Sequence, residues 1–243
     1  MNLDLESGAE APALFRSAGL HALDCGWQGR EASGVRRFTA AFGPCPLSSS
    51  TSNRPIPRDL NLVCRRLGIR LSRHLLLVRV QSQRLVWLEV TPAARAIPSR
   101  AAGLAAMARQ RGCYPISTSR CGIGQVKDTN RTPLGLHRIA HKAGGGWPVG
   151  VVLVNREPSG FTWQGCPDAA IAHRVLWLEG LEPGWNRGGN VDTFQRSIYL
   201  HGVGNELTLG RPASRGCIHL AAGDLMPLYD RLPVGTLVWI SRR

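Results

Sequence analysis

Two residues that could carry out chemistry lie sixteen positions apart in the stretch IYLHGVGNELTLGRPASRGCIHL, residues 198–220. His201 ends a strand-like run, and Cys217 directly follows a glycine. A cysteine is an effective nucleophile when a histidine takes its proton. A small buried thiol near a hydrogen-bonded strand end would give the same spacing. The spacing alone leaves both interpretations open.

The turn around Cys217 offers one way to activate the thiol. The segment that follows, IHLAAGDLMPLYD, has helical features, so we expect the turn to pass into a helix. Unpaired backbone N–H groups at such a position can lower the pKa of a thiol and can bind a developing oxyanion. Gly202, Gly204 and Gly210 would allow the intervening loop to fold back, so that His201 meets Cys217.

Two arrangements could suggest a metal, and neither fits well. His137 and His141 are four residues apart, but LGLHRIAHK alternates like a strand, in which four residues span roughly 13 Å. Cys217 and His219, together with His201, would give three ligands without the fourth of a structural zinc site. We therefore predict neither a metal nor a cofactor.

The charge of the chain does not identify a partner. The 243 residues have a formal net charge of +14, and 28 of the 30 basic residues are arginines, because only Lys127 and Lys142 are lysines. The arginines are scattered, and no zinc-finger or RNP-like motif is present, so we predict no nucleic-acid binding.

The N-terminal residues and the cysteines bear on location. Asp4, Glu6 and Glu10 stand where a secretory signal would be basic and then apolar, and no apolar run reaches the roughly 18 residues of a membrane span. The sequence alone therefore suggests a soluble protein without a signal peptide. The seven cysteines form no C-x-x-C motif, and a disulfide between Cys113 and Cys121 is one option.

Periodicity and turn residues divide the chain into three parts. Residues 1–55 have no sustained period and end in the linker-like CPLSSSTSNRPIP, so we predict a poorly ordered extension. Residues 56–69 are predicted to form a short helix and linker, and residues 70–243 the main domain. In that domain we predict a hairpin over 74–80 and 84–90, then a connection over 91–111 that could hold a short helix. The remaining predicted strands are CYPIST, LGLHRIAHK, VGVVLVN, RVLWLEG, RSIYLHG and GTLVWI, and AAGDLMPLYDRLP is predicted to be helical. This pattern predicts a mainly β sandwich or barrel-like domain.

A longer ordered pattern connects these pieces. YPISTSRCGIG, TPLGLHRIAHKAGGG, RVLWLEGLEPGWNRGG, IYLHG, PASRGCIHL and DLMPLYDRLPVGTLVWI follow one another over roughly residues 70–240. Together they resemble the L,D-transpeptidase catalytic-domain family, also called YkuD-like. The resemblance implies a β-sandwich or barrel-like domain with a small capping helix, and it implies that residues 70–243 are an L,D-transpeptidase-like catalytic domain.

The resemblance also implies an activity. Family members attack a peptidoglycan tetrapeptide stem before its terminal D-alanine. They pass the resulting thioester to a second stem as a 3-3 cross-link, to a protein lysine, or to water as carboxypeptidases do. Peptidoglycan stem peptides would be the partners, carbapenem-type compounds the inhibitors, and the cell envelope the location, with the cytoplasm as the alternative without an export signal. A catalytically silent peptidoglycan-binding module is a further alternative.

The resemblance assigns roles to seven residues, which are His201, Gly202, Ser214, Arg215, Gly216, Cys217 and His219. Cys217 would be the nucleophile and His201 the general base, and Gly202 would let the substrate approach the base. Ser214, Arg215, Gly216 and Cys217 would form the turn that holds the oxyanion.

One departure from the family pattern affects two of these positions. The family usually reads Ser-His-Gly-Cys-(Ile/Val)-Arg, whereas this chain has Arg215 in the place of the histidine and His219 in the place of the arginine. We expect Arg215 to take over the contact with a substrate carboxylate and His219 to give polar support. The alternative is that the exchange weakens catalysis.

Overall fold

A computed structural model describes residues 53–95 and 107–243. The predicted N-terminal extension lies outside the described residues, except for its last three positions. Those positions, Asn53–Pro55, form a strand that pairs antiparallel with Met107–Arg109.

Within the described ranges the fold is mainly β, with eleven strands in one mixed sheet and two α-helices. The strands are β1 (Asn53–Pro55), β2 (His74–Arg79), β3 (Arg84–Val90), β4 (Met107–Pro115), β5 (Gly135–Ala143), β6 (Val151–Val154), β7 (Glu157–Phe161), β8 (Ala172–Gly180), β9 (Tyr199–Gly202), β10 (Ile218–Leu220) and β11 (Leu237–Ser241). The helices are α1 (Arg58–Leu67) and α2 (Ala222–Arg231). This confirms the predicted mainly β class with a small capping helix.

The strand order explains how distant segments meet. The sheet runs β1, β4, β3, β2, β11, β5, β8, β6, β7, and β9 pairs with β8 while β10 pairs with β9. The β9–β10 and β11–β2 pairs are parallel. The stretch from β8 to β10 brings residues 172–180, 199–202 and 218–220 side by side.

The sequence locates the first hairpin and the first helix well. The predicted hairpin is confirmed, with β2 and β3 paired from Arg79 opposite Arg84. Helix α1 follows Pro57 and ends at Gly68, whose φ of +66° is the left-handed conformation that glycine adopts readily at a helix C-terminus. Neither helix of the described ranges is long and apolar enough to cross a membrane.

The predicted connection over residues 91–111 differs from the structure at its C-terminal end. Its alanines and arginines favour a helix, but Met107–Pro115 form strand β4 between β1 and β3. Ala108 pairs with both neighbouring strands and is buried in the core. Strand pairing here overrides the local helix propensity. Residues 96–106 lie outside the described part of the chain.

Side-chain alternation along the strands creates two main cores. In β2, Leu76 and Val78 face the cluster that α2 covers, whereas Leu75 and Leu77 face the cluster that α1 covers through Leu60. Helix α1 and the sheet therefore share a core. A third, smaller cluster lies beside β9 and includes Cys217 at its edge.

Candidate active site

Strands β9 and β10 arrange the segments that carry the predicted nucleophile and base side by side. Ile218 pairs with Leu200 and His219 with His201, in parallel register. Leu200 and Ile218 are buried in the core under α2. Because successive side chains on a strand alternate, His201 and His219 lie on the opposite face, and Cys217 extends from that same face. The loop between the strands folds back as the glycines predict.

His201 is held in one orientation. Its side chain is buried, and its Nδ1 lies 2.8 Å from the carbonyl oxygen of Gly202. That carbonyl can only accept, so Nδ1 carries the proton and Nε2 is left as the base. The pKa of His201 is lowered to about 3, mainly by burial and also by the neighbouring His219, while the bond to Gly202 partly opposes both. His201 is therefore neutral at physiological pH.

Cys217 is a neutral thiol at rest. Its Sγ accepts a hydrogen bond from the Tyr199 N–H at 3.4 Å and donates to the Ser197 carbonyl at 3.5 Å. Burial raises the pKa of Cys217 to about 11, although the Tyr199 N–H and the charges of Arg196 and Arg215 act in the opposite direction. The sequence allows the turn to lower the thiol pKa, but the net shift in the structure is upward.

The helix predicted over AAGDLMPLYDRLP forms as α2, but the turn at Cys217 does not pass directly into it. Strand β10 separates the thiol from α2, which begins only at Ala222. Pairing with β9 holds residues 218–220 extended, so the unpaired N–H groups of the helix are not beside the thiol. Any oxyanion donors must come from the turn itself.

The turn before Cys217 is fixed by its own serine. Ser214 Oγ donates to the Cys217 carbonyl at 2.6 Å and accepts the Gly216 N–H at 3.2 Å, while the Ser214 N–H bonds the Thr118 carbonyl. Gly216 has a φ of +123°, a conformation that favours glycine, and its carbonyl accepts from Thr132 Oγ1 at 3.0 Å. The N–H groups of Ser214 and Gly216 are thus occupied, which leaves those of Arg215 and Cys217 as candidate oxyanion donors.

The two exchanged residues occupy different environments. The Arg215 side chain is exposed. The His219 ring lies 4.7 Å from the His201 ring, between centroids, and burial lowers the pKa of His219 to about 4. Its Nδ1 is buried without a hydrogen-bond partner among the described residues.

Gly202 has a packing role that the sequence did not indicate. A Cβ at Gly202 would lie 2.5 Å from Cδ2 of His173 and 2.8 Å from the Ala172 carbonyl. His173 is itself fixed, because its Nδ1 accepts the Gly150 N–H at 2.7 Å and its Nε2 bonds the Val203 carbonyl at 3.2 Å. The glycine lets β8 approach β9 closely behind the base.

Arg196 is a second residue that sequence reasoning missed. Its guanidinium donates to the carbonyls of Gln125 at 2.7 Å, Arg131 at 2.6 Å and Gly124 at 3.3 Å, and its charge lowers the pKa of Cys217. The only sequence signal was a basic residue three positions before β9.

The histidines and cysteines outside the site have their own environments. His137 and His141 lie on β5, where His141 contacts the rings of Trp177 and Phe194. In the described ranges, no three His, Cys, Asp or Glu side chains are grouped so that they could hold a metal ion. Cys121 is an exposed free thiol, so it forms no disulfide with Cys113.

The buried side chain of His137 makes the stability of the fold depend on pH. It is fully buried between the Gly135 carbonyl and Thr193 Oγ1, and burial lowers its pKa to about 4. The unfolded chain, with a histidine pKa near 6.5, therefore binds a proton at pH 5 that the folded chain does not. Stability is complete above about pH 6.5 and is lost towards pH 4, with about 2 kcal/mol lost through His137 by pH 5. His201 and His219 act in the same direction.

Urea unfolding at pH 7.5 and pH 5 measures this loss. His137→Gln should be less stable than the wild type at pH 7.5 but should lose less stability on acidification. An equal loss in both proteins would contradict the assignment.

Comparison with known proteins places residues 99–240 in a described family. They match the profile of YkuD, the L,D-transpeptidase catalytic domain. No curated protein matches the chain.

Several solved structures are similar in fold. Bd1075 of Bdellovibrio bacteriovorus is 15% identical with a TM-score of 0.44, and the match covers 71% of this chain and 49% of that one. An L,D-transpeptidase from Mycobacterium smegmatis is 15% identical with a TM-score of 0.38, covering 70% and 58%. L,D-transpeptidase 3 from Mycobacterium tuberculosis, in complex with a faropenem-derived adduct, is 15% identical with a TM-score of 0.37, covering 70% and 60%. The chain thus matches about half to 60% of the length of these proteins.

Proposed function

Because the chain belongs to the L,D-transpeptidase catalytic domain family, we propose that it is a cysteine-dependent acyltransferase that acts on peptidoglycan stem peptides. Cys217 is the nucleophile and His201 the general base. The observation that carries this proposal is the β9–β10 register. With side chains alternating along the strands, it supports a common face for Cys217 and His201, and the Gly202 carbonyl holds Nδ1 of His201 in place.

Acylation begins from a neutral pair. Sγ of Cys217 attacks the carbonyl that precedes the terminal D-alanine of the donor, while the thiol proton moves to Nε2 of His201. Because the thiol has a raised pKa and the imidazole a lowered one, this proton transfer accompanies the attack and does not precede it. The N–H groups of Arg215 and Cys217 stabilise the oxyanion, an effect of about 3 kcal/mol for one such donor.

Collapse of the tetrahedral intermediate completes the first half of the reaction. The C–N bond breaks, the D-alanine amine leaves with the proton from Nε2, and the donor remains as a thioester on Cys217. An acceptor amine then loses a proton to Nε2 as it attacks the thioester, and the thiol is restored by that same proton. One difficult amide exchange is thereby divided into two easier steps.

The acceptor of the acyl group determines which product the enzyme makes. We place an amine of a second stem peptide in this role, which gives a 3-3 cross-link, and a lysine of an envelope protein would follow the same chemistry. Both locate the working enzyme in the cell envelope. The catalytic domain is proposed to begin at residue 70, before the family match, because β2 and β3 share the sheet and the core with β11.

Product analysis tests the activity. Purified protein is incubated with tetrapeptide stems, and the products are separated by mass. Cross-linked dimers and released D-alanine are expected. Trimmed tripeptides without dimers would instead identify an L,D-carboxypeptidase, and unchanged tetrapeptides would identify a silent binding module.

The exchange of Arg215 and His219 gives a separate prediction. We propose that Arg215 contacts a substrate carboxylate and that His219 supports His201 through its ring contact. Arg215→His should lower kcat/KM about 10-fold by removing a charged hydrogen bond. His219→Arg should also lower kcat/KM, because it puts a cation against the base.

The double variant decides whether the two positions compensate. Arg215→His with His219→Arg restores the order usual in the family, so its loss should be smaller than the two single losses combined. Turnover of tetrapeptide stems by all four proteins measures this coupling. Additive losses, or no change in any variant, would remove the basis of the compensating exchange.

A further inference from the structure

An arginine at a hairpin tip reaches over the aromatic side chains beside the nucleophile. Asn155 and Arg156 form the two-residue turn between β6 and β7, with φ values of +50° and +72°. Positive φ at both positions is the requirement of a tight type I′ hairpin turn, so the backbone of Arg156 is closely constrained. The Arg156 guanidinium lies 4.3 Å from the centre of the Trp177 ring, and its Nη1 donates to Tyr199 Oη at 3.2 Å.

The support under this guanidinium is rigid. Trp177 stacks on Phe194 with ring centres 3.9 Å apart and planes within 4°, and Trp177 Nε1 donates to the Phe194 carbonyl at 3.1 Å. Tyr199 meets Trp177 edge-on at 5.6 Å. A cation on an aromatic face of this kind is held in place without an acidic partner.

The same tyrosine connects the guanidinium to the site. Tyr199 holds Arg156 through its hydroxyl and Cys217 Sγ through its backbone N–H. Arg156 therefore lies about one tyrosine side chain away from the thiol, on the face to which Cys217 extends.

The charge of Arg156 is available to a ligand. The Arg156 side chain is exposed, and it forms no ion pair within residues 53–95 and 107–243, whereas Arg138 and Arg187 are paired with Glu179. Arg196, another arginine close to Cys217, already donates to three carbonyls. A guanidinium has five N–H donors, so Arg156 keeps donors free after its bond to Tyr199.

We infer that Arg156 binds a carboxylate of the donor stem peptide upstream of the scissile bond, and that it selects acidic donors over amidated ones. This rests on the proposed function. The carboxylate of the leaving D-alanine is two bonds from the scissile nitrogen and must stay close to Sγ. The guanidinium instead meets the far end of the Tyr199 side chain, where a more distant carboxylate of the same peptide would lie.

A substrate and variant matrix tests the assignment. Wild type, Arg156→Gln and Arg156→Lys are assayed on an acidic tetrapeptide and on tetrapeptides in which each upstream carboxylate is amidated singly. Arg58→Gln, an exposed arginine on α1, is the matched control for loss of one charge. Arg156→Gln should raise KM about 10-fold on the acidic peptide with little change in kcat, because one charged hydrogen bond is lost. The KM of Arg156→Lys should lie between the values of the wild type and Arg156→Gln. Lysine keeps the charge but lacks the planar, two-donor hydrogen-bonding geometry of a guanidinium.

The amidated peptides separate recognition from structure. On one of the amidated peptides, the KM of the wild type should rise by about the same factor. On that peptide Arg156→Gln should raise KM no further. An equal loss from Arg156→Gln on every peptide, or no loss on any, would overturn the assignment while leaving the proposed acyltransferase intact. A wild-type protein that cleaved none of the peptides would contradict the proposed function and the assignment together.

Discussion

Replacing Cys217 by serine is expected to lower the release of D-alanine from tetrapeptide stems by on the order of 10⁴-fold or more. A serine hydroxyl ionises far less readily than a thiol, and His201, with a pKa of about 3, is too weak a base to compensate. The measurement is a time course of D-alanine release at neutral pH, with substrate well above KM.

Two other thiols provide the controls. Cys121 and Cys166 are exposed free cysteines, so Cys121→Ser and Cys166→Ser should retain the activity of the wild type. The melting temperature of Cys217→Ser should stay close to the wild-type value, because serine keeps the size of the side chain. Activity that survived in Cys217→Ser, or disappeared in Cys121→Ser, would locate the nucleophile elsewhere.

Replacing His201 by glutamine is expected to have the second-largest effect, a fall in kcat/KM of about 10²- to 10⁴-fold. Glutamine has similar length and polarity but cannot accept the thiol proton. The Gly202 carbonyl would keep a donor, because the glutamine amide can replace Nδ1–H.

The pH profile distinguishes a lost base from a disturbed fold. Wild-type kcat/KM should be nearly constant between about pH 5 and 8, because His201 loses its proton near pH 3 and Cys217 keeps its own until near pH 11. In His201→Gln only the thiolate attacks, so kcat/KM should rise about tenfold per pH unit as the pH approaches 11. A wild-type profile that declines below pH 6.5 would show that His201 titrates like an exposed histidine.

The longer regular elements could be predicted from local sequence patterns, whereas the shortest elements could not. The β2–β3 hairpin shows its period of two over long runs, and α1 has both a proline start and a glycine end. The helix predicted over AAGDLMPLYDRLP is confirmed as α2. Strand β10 between it and Cys217 has only three residues, too few to establish a period, so the sequence predicted the turn at Cys217 to pass directly into the helical segment. Its pairing with β9 depends on chain segments that the sequence separates by sixteen positions.

The titration behaviour of the site also depends on the fold. The sequence predicts a turn at Cys217 whose N–H groups lower the thiol pKa, but the N–H group that lowers it in the structure is that of Tyr199 on β9. Burial is the larger effect, and burial is set by the packing of β8, β9 and the neighbouring cluster. A neutral thiol and a neutral imidazole are the result, which a sequence motif cannot indicate.

Arg156, His173 and Arg196 were missed for the same reason. Each acts on the site from another strand, turn or loop, and none lies in a motif that resembles the family. The exchange of Arg215 and His219 was visible in the sequence, but the contact of the His219 ring with the His201 ring was not.

The central claim is that Cys217 is the acylated residue, and mapping a carbapenem adduct tests it most directly. Trypsin cleaves after Arg215 and Arg231, so Cys217 is the only cysteine in the peptide of residues 216–231. The adduct mass is expected on this peptide in the wild type, strongly reduced in His201→Gln and absent in Cys217→Ser. An adduct on residues 121–127 or 157–174, which contain Cys121 and Cys166, or one that persisted in Cys217→Ser, would contradict the claim.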